Sequence, residues 1–258
     1  AADYARFDMV AAFARHTYAE RNLHAAPERA FSKRCAKEWA MLQEGLPEGI
    51  YVRWSESRLD LVRAAIVGPK KTPYHDGLFL FDIVLPTDYP KAPPEVCYYS
   101  FGVRVNPNLY ENGKVCLSLL NTWTGKGTET WTPKSSSLLQ VLVSIQGLVL
   151  NEEPYYNEAG YEKQVGSAEG AKNSALYNES AFLLSLKTYL ALMKTPPEHF
   201  EKLVQEHFRG VGSKLVAACG RYLNGAVVGS LAPVERAGED GTGGAADGDV
   251  GDATTSSG

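Results

Sequence analysis

Apolar residues recur at helical spacing from Pro27 to Gly45, which predicts an amphipathic helix. Its apolar face carries Phe31, Cys35, Trp39 and Leu42, and its other faces carry Lys33, Lys37, Glu38 and Glu44. Residues 1–26 also place apolar positions at helical spacing, but they have little apolar bulk. This N-terminal arm is therefore expected to be helical or weakly structured.

Four β-like runs follow this helix, and residues that favour turns separate them. They are Ile50–Trp54, Leu59–Val67, Gly77–Leu85 and Val96–Phe101. Short strands at such regular spacing predict a four-stranded antiparallel meander.

The second half of the chain is irregular at first and then helical. Residues 102–137 are rich in Asn, Gly, Thr and Pro, and compact domains usually reserve a loop of that length for function. Residues 138–150 are nearly all apolar and follow Ser135–Ser137, which predicts a capped, buried helix. Further helices are predicted around residues 182–193, 200–208 and 215–223. Strands first and helices afterwards make the fold class α+β.

Composition and charge narrow the class of protein. The chain has 258 residues, 44% hydrophobic and 22% charged, which suits one globular domain with appendages or at most two small domains. Residues 229–258 are too poor in large apolar side chains to fold and are predicted to be a disordered, low-complexity tail. Six acidic residues and one arginine from Glu235 onward leave a net charge of −5 there and +1 in the rest, against −4 overall.

Two classes of partner are not supported. The longest Lys/Arg run is Lys70–Lys71, so no dense basic face for nucleic acid is expected. No apolar run approaches the length of a membrane span, and no secretory leader opens the chain.

The four cysteines are Cys35, Cys97, Cys116 and Cys219. They form no CxxC pair and have no histidine at metal-ligand spacing, so no metal site is expected. A reducing compartment is the simpler interpretation. Without a special neighbourhood, each cysteine is more often a buried small hydrophobe than a reactive thiol.

One cysteine does have a special neighbourhood. Asn106-Pro107-Asn108 predicts one turn, and residues 111–113 predict a second turn just before Cys116. A thiol after a tight turn can lie at the surface, where a neighbouring Asn amide can donate to an oxyanion formed on its acyl group. From these residues alone, a hairpin with an incidental cysteine remains the simpler interpretation.

The order of motifs along the chain, however, resembles the ubiquitin-conjugating (E2) family. Residues 68–79 resemble its GPxxTPYxxGxF signature, and residues 88–95 its DYPxxPPx loop. Asn106-Pro107-Asn108 stands in the place of the family's His-Pro-Asn, with Cys116 eight residues beyond Asn108. Residues 131–133 match its Trp-x-Pro, and residues 139–150 its hydrophobic crossover helix. Five motifs in order over about residues 31–158 are highly specific.

Two features resemble a subgroup, the catalytic domains of large E2/E3 hybrid enzymes. The segment between Cys116 and Trp131 is longer than in small E2s, and residues 151–160 replace the usual Asp-Pro-Asn-Pro run. This resemblance implies a fragment of a larger protein, with a UBC-like core at residues 27–165 and a helical extension at 166–228.

The family resemblance implies a reaction and its residues. Cys116 would accept ubiquitin from an E1 activating enzyme as a thioester and pass it to a substrate lysine, while Asn108 stabilises the oxyanion. Asn106, Pro107, Ser118 and Tyr156 would support the active-site loop. Small E2s carry an acidic residue where Ser118 or Tyr156 stands, and the candidate replacements are Glu152, Glu153 and Glu158.

The same resemblance implies the partners. These are ubiquitin, the E1 enzyme and protein substrates, in the cytoplasm, the nucleus or both. ATP is used by the E1, so no cofactor is expected. The candidate E1/E3 surface comprises Lys33, Lys37, Lys91, Pro133 and Lys134. Of these, Lys91 and Lys134 fall at positions that are apolar in small E2s.

Two other functions remain open at the level of sequence. A catalytically inactive ubiquitin-binding relative would keep the fold but lack the thiol, and a cysteine hydrolase would cleave the thioester. His75 could be the base of such a hydrolase, but it lies in a loop motif and is expected to face solvent.

Overall fold

The computed structural model describes residues 4–21, 29–122 and 130–230, and its centre is a five-stranded sheet. The strands are β1 (Phe7–Val10), β2 (Ile50–Ser55), β3 (Leu61–Val67), β4 (Leu78–Val84) and β5 (Glu95–Tyr98), in that spatial order. The helices are α1 (Arg29–Gly45), α2 (Leu138–Ser144), α3 (Ala168–Lys194) and α4 (Glu201–Leu223). The predicted α+β class is confirmed.

The predicted meander is confirmed as β2 to β5, but the sheet has a fifth strand. β1 pairs in parallel with β2, Phe7 opposite Val52, within the arm that was expected to be helical or weakly structured. β1 satisfies backbone groups that would otherwise be unpaired on the edge of β2. Helical spacing alone could not reveal a four-residue strand whose partner lies more than 40 residues further along the chain.

A buried carboxylate ties α1 to two loops. Glu38 is fully buried, although the helical pattern placed it off the apolar face. It accepts hydrogen bonds from the Tyr89 hydroxyl at 2.5 Å, the Leu138 backbone N–H at 3.0 Å and the Arg34 guanidinium. At the start of α2, Ser137 and Gln140 form a reciprocal capping box. A carboxylate at a helix N-terminus is favourable because the first N–H groups there lack partners.

The helix that begins as α2 changes its winding in its second half. After Ser144 it continues as a π-helical turn over Ile145–Val149. Together the two segments cover the apolar run that predicted one buried helix.

The face of the sheet turned away from α1 is also covered. Arg63 of β3 and Asp82 of β4 lie opposite each other and form a buried ion pair at 2.6 Å. Thr17 and Tyr99 also donate to the Asp82 carboxylate, and the Arg63 guanidinium donates to the backbone oxygen of Glu198 at 3.1 Å. Burial alone would raise the pKa of Asp82, but Arg63, with smaller contributions from His16 and Thr17, holds that pKa below its usual range.

The helical extension packs directly onto the core. One cluster of buried side chains includes Phe79 of β4, Tyr189 of α3 and Phe208 of α4. Two of the predicted helices, around 200–208 and 215–223, are a single continuous helix, α4. The predicted boundaries of the core, residues 27–165, and of the extension, residues 166–228, stay predictions.

The expectation that His75 faces solvent is wrong. Its ring is buried, and it makes hydrogen-bond contacts with Asp76 at 2.8 Å and the Tyr222 hydroxyl at 2.7 Å. It also stacks on Phe182, with ring centroids 5.6 Å apart. The sequence of the loop could not show this because the covering residues lie in α3 and α4, more than 100 positions further on.

The predicted tail falls almost wholly outside the described residues, which end at Ser230. Just before that end, Val228 is buried, and the Gly229 N–H donates to the Tyr222 hydroxyl at 3.0 Å. No helix in the described ranges is long and apolar enough to cross a membrane.

Gly77 provides a test of the contact between core and extension. A Cβ at Gly77 would lie 1.9 Å from the Tyr189 hydroxyl oxygen. We expect Gly77→Ala to lower the free energy of unfolding by about 1–3 kcal/mol through overpacking. The measurement is the urea midpoint.

Gly210→Ala is the matched control. Gly210 is an exposed position of α4, and a Cβ there meets nothing within 4 Å. That change should raise the free energy of unfolding by roughly 0.5–1 kcal/mol through helix propensity. Equal effects of the two substitutions would show that Tyr189 does not press on Gly77.

Candidate active site

The turn at residues 106–108 is built around one buried side chain. The Asn106 amide nitrogen donates to the Tyr74 hydroxyl at 2.8 Å and to the Val149 carbonyl at 2.7 Å. Its side-chain oxygen accepts from the Asn108 N–H at 2.8 Å and from the Asn157 amide at 3.4 Å. Both donors and both acceptor sites of this side chain are therefore used.

This arrangement explains why an Asn serves at the position where the resembling family has His. The site requires two donated and two accepted hydrogen bonds in a space with no exposure to water. A neutral imidazole has one donor and one acceptor, so it could make only half of these bonds.

Asn108 is bonded to Cys116 from both sides. The Cys116 N–H donates to the Asn108 carbonyl at 2.9 Å, and the Asn108 side-chain amide donates to the Cys116 carbonyl at 2.8 Å. The Asn108 side-chain oxygen is buried and has no hydrogen-bond partner within the described ranges. The amide nitrogen carries a second N–H, which can serve a group placed near the cysteine.

Cys116 is less exposed than its turn suggested. The residue is only 3% exposed, in contrast to a thiol standing free at the surface. The turn that precedes it forms as predicted, with the Gly113 N–H donating to the Tyr110 carbonyl at 3.0 Å. Gly113 has φ 87°, and a Cβ there would lie 2.6 Å from the Cys97 sulfur, so this turn needs glycine.

Sequence reasoning missed Tyr110, which contacts the cysteine. Burial first, and then the hydrogen bond and charge of the Cys116 sulfur, raise the pKa of the Tyr110 hydroxyl. The Arg104 guanidinium lies over the Tyr110 ring at 4.2 Å and pairs with Glu158 at 3.3 Å. A tyrosine six residues before the cysteine was the available signal, but spacing does not show which way a ring points.

An open groove of about 570 Å³ runs beside the cysteine loop. Its walls include Asn108, Ser118, Tyr156 and Glu158, so the structure brings these predicted residues together. Pro107 instead lines a neighbouring cleft of about 390 Å³ with Arg104 and three tyrosines.

The three candidate acids separate in space. Glu158 lines the groove beside the cysteine loop, whereas Glu152 and Glu153 line a different cavity against α3. Hydrogen bonds hold them there, from Asn178 to the Glu152 carbonyl and from Ser174 to the Glu153 carboxylate. Of the three, only Glu158 is placed where a group reacting near Cys116 could meet it.

The residues of the candidate E1/E3 surface lie on three neighbouring segments of the chain. Its five members are all exposed: Lys33, Lys37, Lys91, Pro133 and Lys134. Hydrogen bonds join the segments that carry them, because Arg34 of α1 donates to the Ser136 carbonyl and Trp131 donates to the Pro90 carbonyl, both at 2.7 Å. The first helix and the two loops are therefore neighbours in the fold.

The other cysteines have environments that suppress reactivity or lie away from this loop. Cys35 is fully buried in α1, and burial raises the pKa of its thiol to about 12. Burial also raises the pKa of Cys97 on β5. Cys219 lies on α4. Among the described residues, no group of three or more His, Cys, Asp or Glu side chains could hold a metal ion.

Comparison with known proteins gives the family. A model of the family "Ubiquitin-conjugating enzyme" matches residues 34–183. "Probable ubiquitin-conjugating enzyme E2 23" of Arabidopsis thaliana is 60% identical over 204 residues, which are 79% of this chain and 18% of that protein. "Probable ubiquitin-conjugating enzyme E2 24" of the same plant is 52% identical over 235 residues, 90% of this chain and 26% of that protein.

One human relative is named as both an E2 and an E3 enzyme. "Dual E2 ubiquitin-conjugating enzyme/E3 ubiquitin-protein ligase BIRC6" is 40% identical over 211 residues, 79% of this chain and 4% of that protein. The chain belongs to the ubiquitin-conjugating enzyme family, whose members are enzymes. It spans about a fifth to a quarter of the length of the two plant relatives described above.

Proposed function

We propose that this chain accepts ubiquitin from an E1 enzyme as a thioester on Cys116 and transfers it to a substrate lysine. The observation that carries the proposal is the paired hydrogen bonding of Asn108 and Cys116 at the edge of the open groove. Loading is a thiol exchange. The Cys116 thiolate attacks the carbonyl carbon of the E1-bound ubiquitin, a new C–S bond forms, and the E1 thiolate leaves.

Transfer is an aminolysis. The lysine amine attacks the same carbonyl carbon, the oxyanion collapses, and the Cys116 thiolate leaves as the amide bond forms. The second N–H of the Asn108 amide can stabilise the oxyanion. In this scheme Glu158 attracts the lysine and receives its proton, a role supported by its place in the lining of the groove. ATP is consumed by the E1, so this scheme requires no cofactor here.

We also propose that this chain transfers ubiquitin without a separate ligase. The name of the human relative supports this, as do Lys91 and Lys134 on the candidate E1/E3 surface. We propose the cytoplasm or nucleus as the place of action.

Loading can be tested with E1, ATP and ubiquitin on a non-reducing gel. The unaltered protein should form an adduct that reductant removes, and Cys116→Ser should form one that resists reductant. The matched controls Cys35→Ser, Cys97→Ser and Cys219→Ala should charge normally. An inactive relative would show no adduct, and a hydrolase would release ubiquitin without accumulating one. A Cys116→Ala protein that still charged would end the proposal.

Transfer can be separated from loading at Asn108. We expect Asn108→Ala to charge nearly normally but to discharge to free lysine on the order of 10²-fold more slowly, because one oxyanion donor is lost. Single-turnover discharge of the charged protein measures this.

Asn106→Ala is the matched control, because it removes a side chain that holds the loop. It should slow both steps and lower the free energy of unfolding by about 1–3 kcal/mol, since buried partners lose their hydrogen bonds. If Asn108→Ala also slowed both steps equally, Asn108 would be a structural residue only.

The two lysines on the candidate E1/E3 surface predict how the protein responds to RING-type ligases. Lys91 and Lys134 are exposed on it, and covering an ammonium with an apolar partner is costly unless the charge is paired. We expect a panel of RING domains to accelerate lysine discharge little. Acceleration should appear after Lys91→Phe with Lys134→Ala.

The control is Lys163→Ala with Lys214→Ala, which removes two exposed charges outside the candidate E1/E3 surface and should leave the response to RING domains unchanged. Strong acceleration of the unaltered protein by an ordinary RING domain would refute the electrostatic block. It would leave the assignment of Cys116 untouched.

A further inference from the structure

Helix α3 presents three leucines to solvent on one face. Leu176, Leu183 and Leu190 are 52%, 60% and 56% exposed, respectively. The opposite face of the same helix is buried against the core and includes Ala181, Ser185 and Leu192. Single exposed leucines are ordinary on protein surfaces, but here three stand in one row on the same helix, with the exposed polar residues Glu179, Ser180 and Lys187 between them. This row is called the leucine stripe below.

The spacing of the leucines is that of a helix that packs against another helix. They are seven residues apart, so they stay on one side over about 21 Å of helix at 1.5 Å per residue. Met193 extends the stripe by one turn and is 45% exposed. Neither the groove beside Cys116 nor the candidate E1/E3 surface includes this stripe.

The stripe is also symmetric about its central leucine. Leu176 and Leu190 lie seven residues before and after Leu183, and the exposed Glu179 and Lys187 lie four residues before and after it. A two-fold axis at Leu183 would bring a second copy of the helix alongside in the antiparallel direction. Leu176 would then lie level with the partner's Leu190, and Glu179 with the partner's Lys187.

This charge arrangement favours a second copy of the chain as the binding partner of the stripe. Two copies related in this way place an acid level with a base on both sides of the central leucine pair. A parallel pair would place acid level with acid and base level with base. An unrelated partner would not require the two halves of the stripe to match.

We propose that α3 is a homodimer interface, with two antiparallel copies of the helix crossing at Leu183. One helix stripe is a small interface, so the dimer belongs to the weak class that forms at micromolar concentration. Lys172 and Lys194 lie level with each other at the ends, where their repulsion also limits the affinity.

The first test is the molar mass measured by sedimentation equilibrium across the micromolar range. The unaltered protein should shift from monomer to dimer with rising concentration, and Leu183→Glu should remain monomeric. Leu223→Glu is the matched control, because Leu223 is 88% exposed on α4, outside the stripe. It should dimerise like the unaltered protein. Charging of Cys116 by E1 verifies that each variant is folded.

The second test uses the symmetry of the charges. Glu179→Lys and Lys187→Glu should each weaken the dimer on the order of tenfold at low salt, because attraction becomes repulsion at both positions. Mixing the two variants, or combining both changes in one chain, should restore the dimer. An unaltered protein that stays monomeric would overturn the proposal, as would a dimer that ignores Leu183→Glu or these charge changes.

Discussion

The geometry around the cysteine depends on the four hydrogen bonds of the Asn106 side chain. They join the loop after β3 through Tyr74, the end of the crossover helix through Val149, and the next turn through Asn157. The fourth holds the backbone of Asn108, whose own side chain bonds Cys116. Every buried partner would lose a hydrogen bond if this amide moved, so the four segments are fixed relative to one another.

Elements that rest on local rules could be predicted from the sequence. α1, the strands β2 to β5 and the serine-capped start of α2 follow from periodicity, turn residues and capping chemistry. β1 could not be predicted, because its four residues form a strand only against the edge of β2. Glu38 and His75 likewise owe their burial to partners far away in sequence, such as Leu138 and Tyr222.

The candidate site shows the same division. The resemblance to the ubiquitin-conjugating family pointed to Asn108 and Cys116, and their short separation in sequence already suggested that they lie in one local hairpin. The roles of Tyr110 and Glu158 could not be read in the same way. Whether the Tyr110 hydroxyl meets the thiol, or which of three neighbouring glutamates reaches the groove, depends on how separate loops meet.

The contacts that cover the face of the sheet turned away from α1 have a consequence for how the chain folds. The Tyr4 hydroxyl donates to the backbone oxygen of His199 across 195 positions of sequence, and Arg63 between them contacts both the arm and the α3–α4 connection. Closing so long a stretch of chain has an entropic cost, which grows slowly with length but must be met before the contacts form. High contact order of this kind slows folding. The N-terminal arm can therefore complete its contacts with residues 198–199 only after the ribosome has released the chain at least as far as His199.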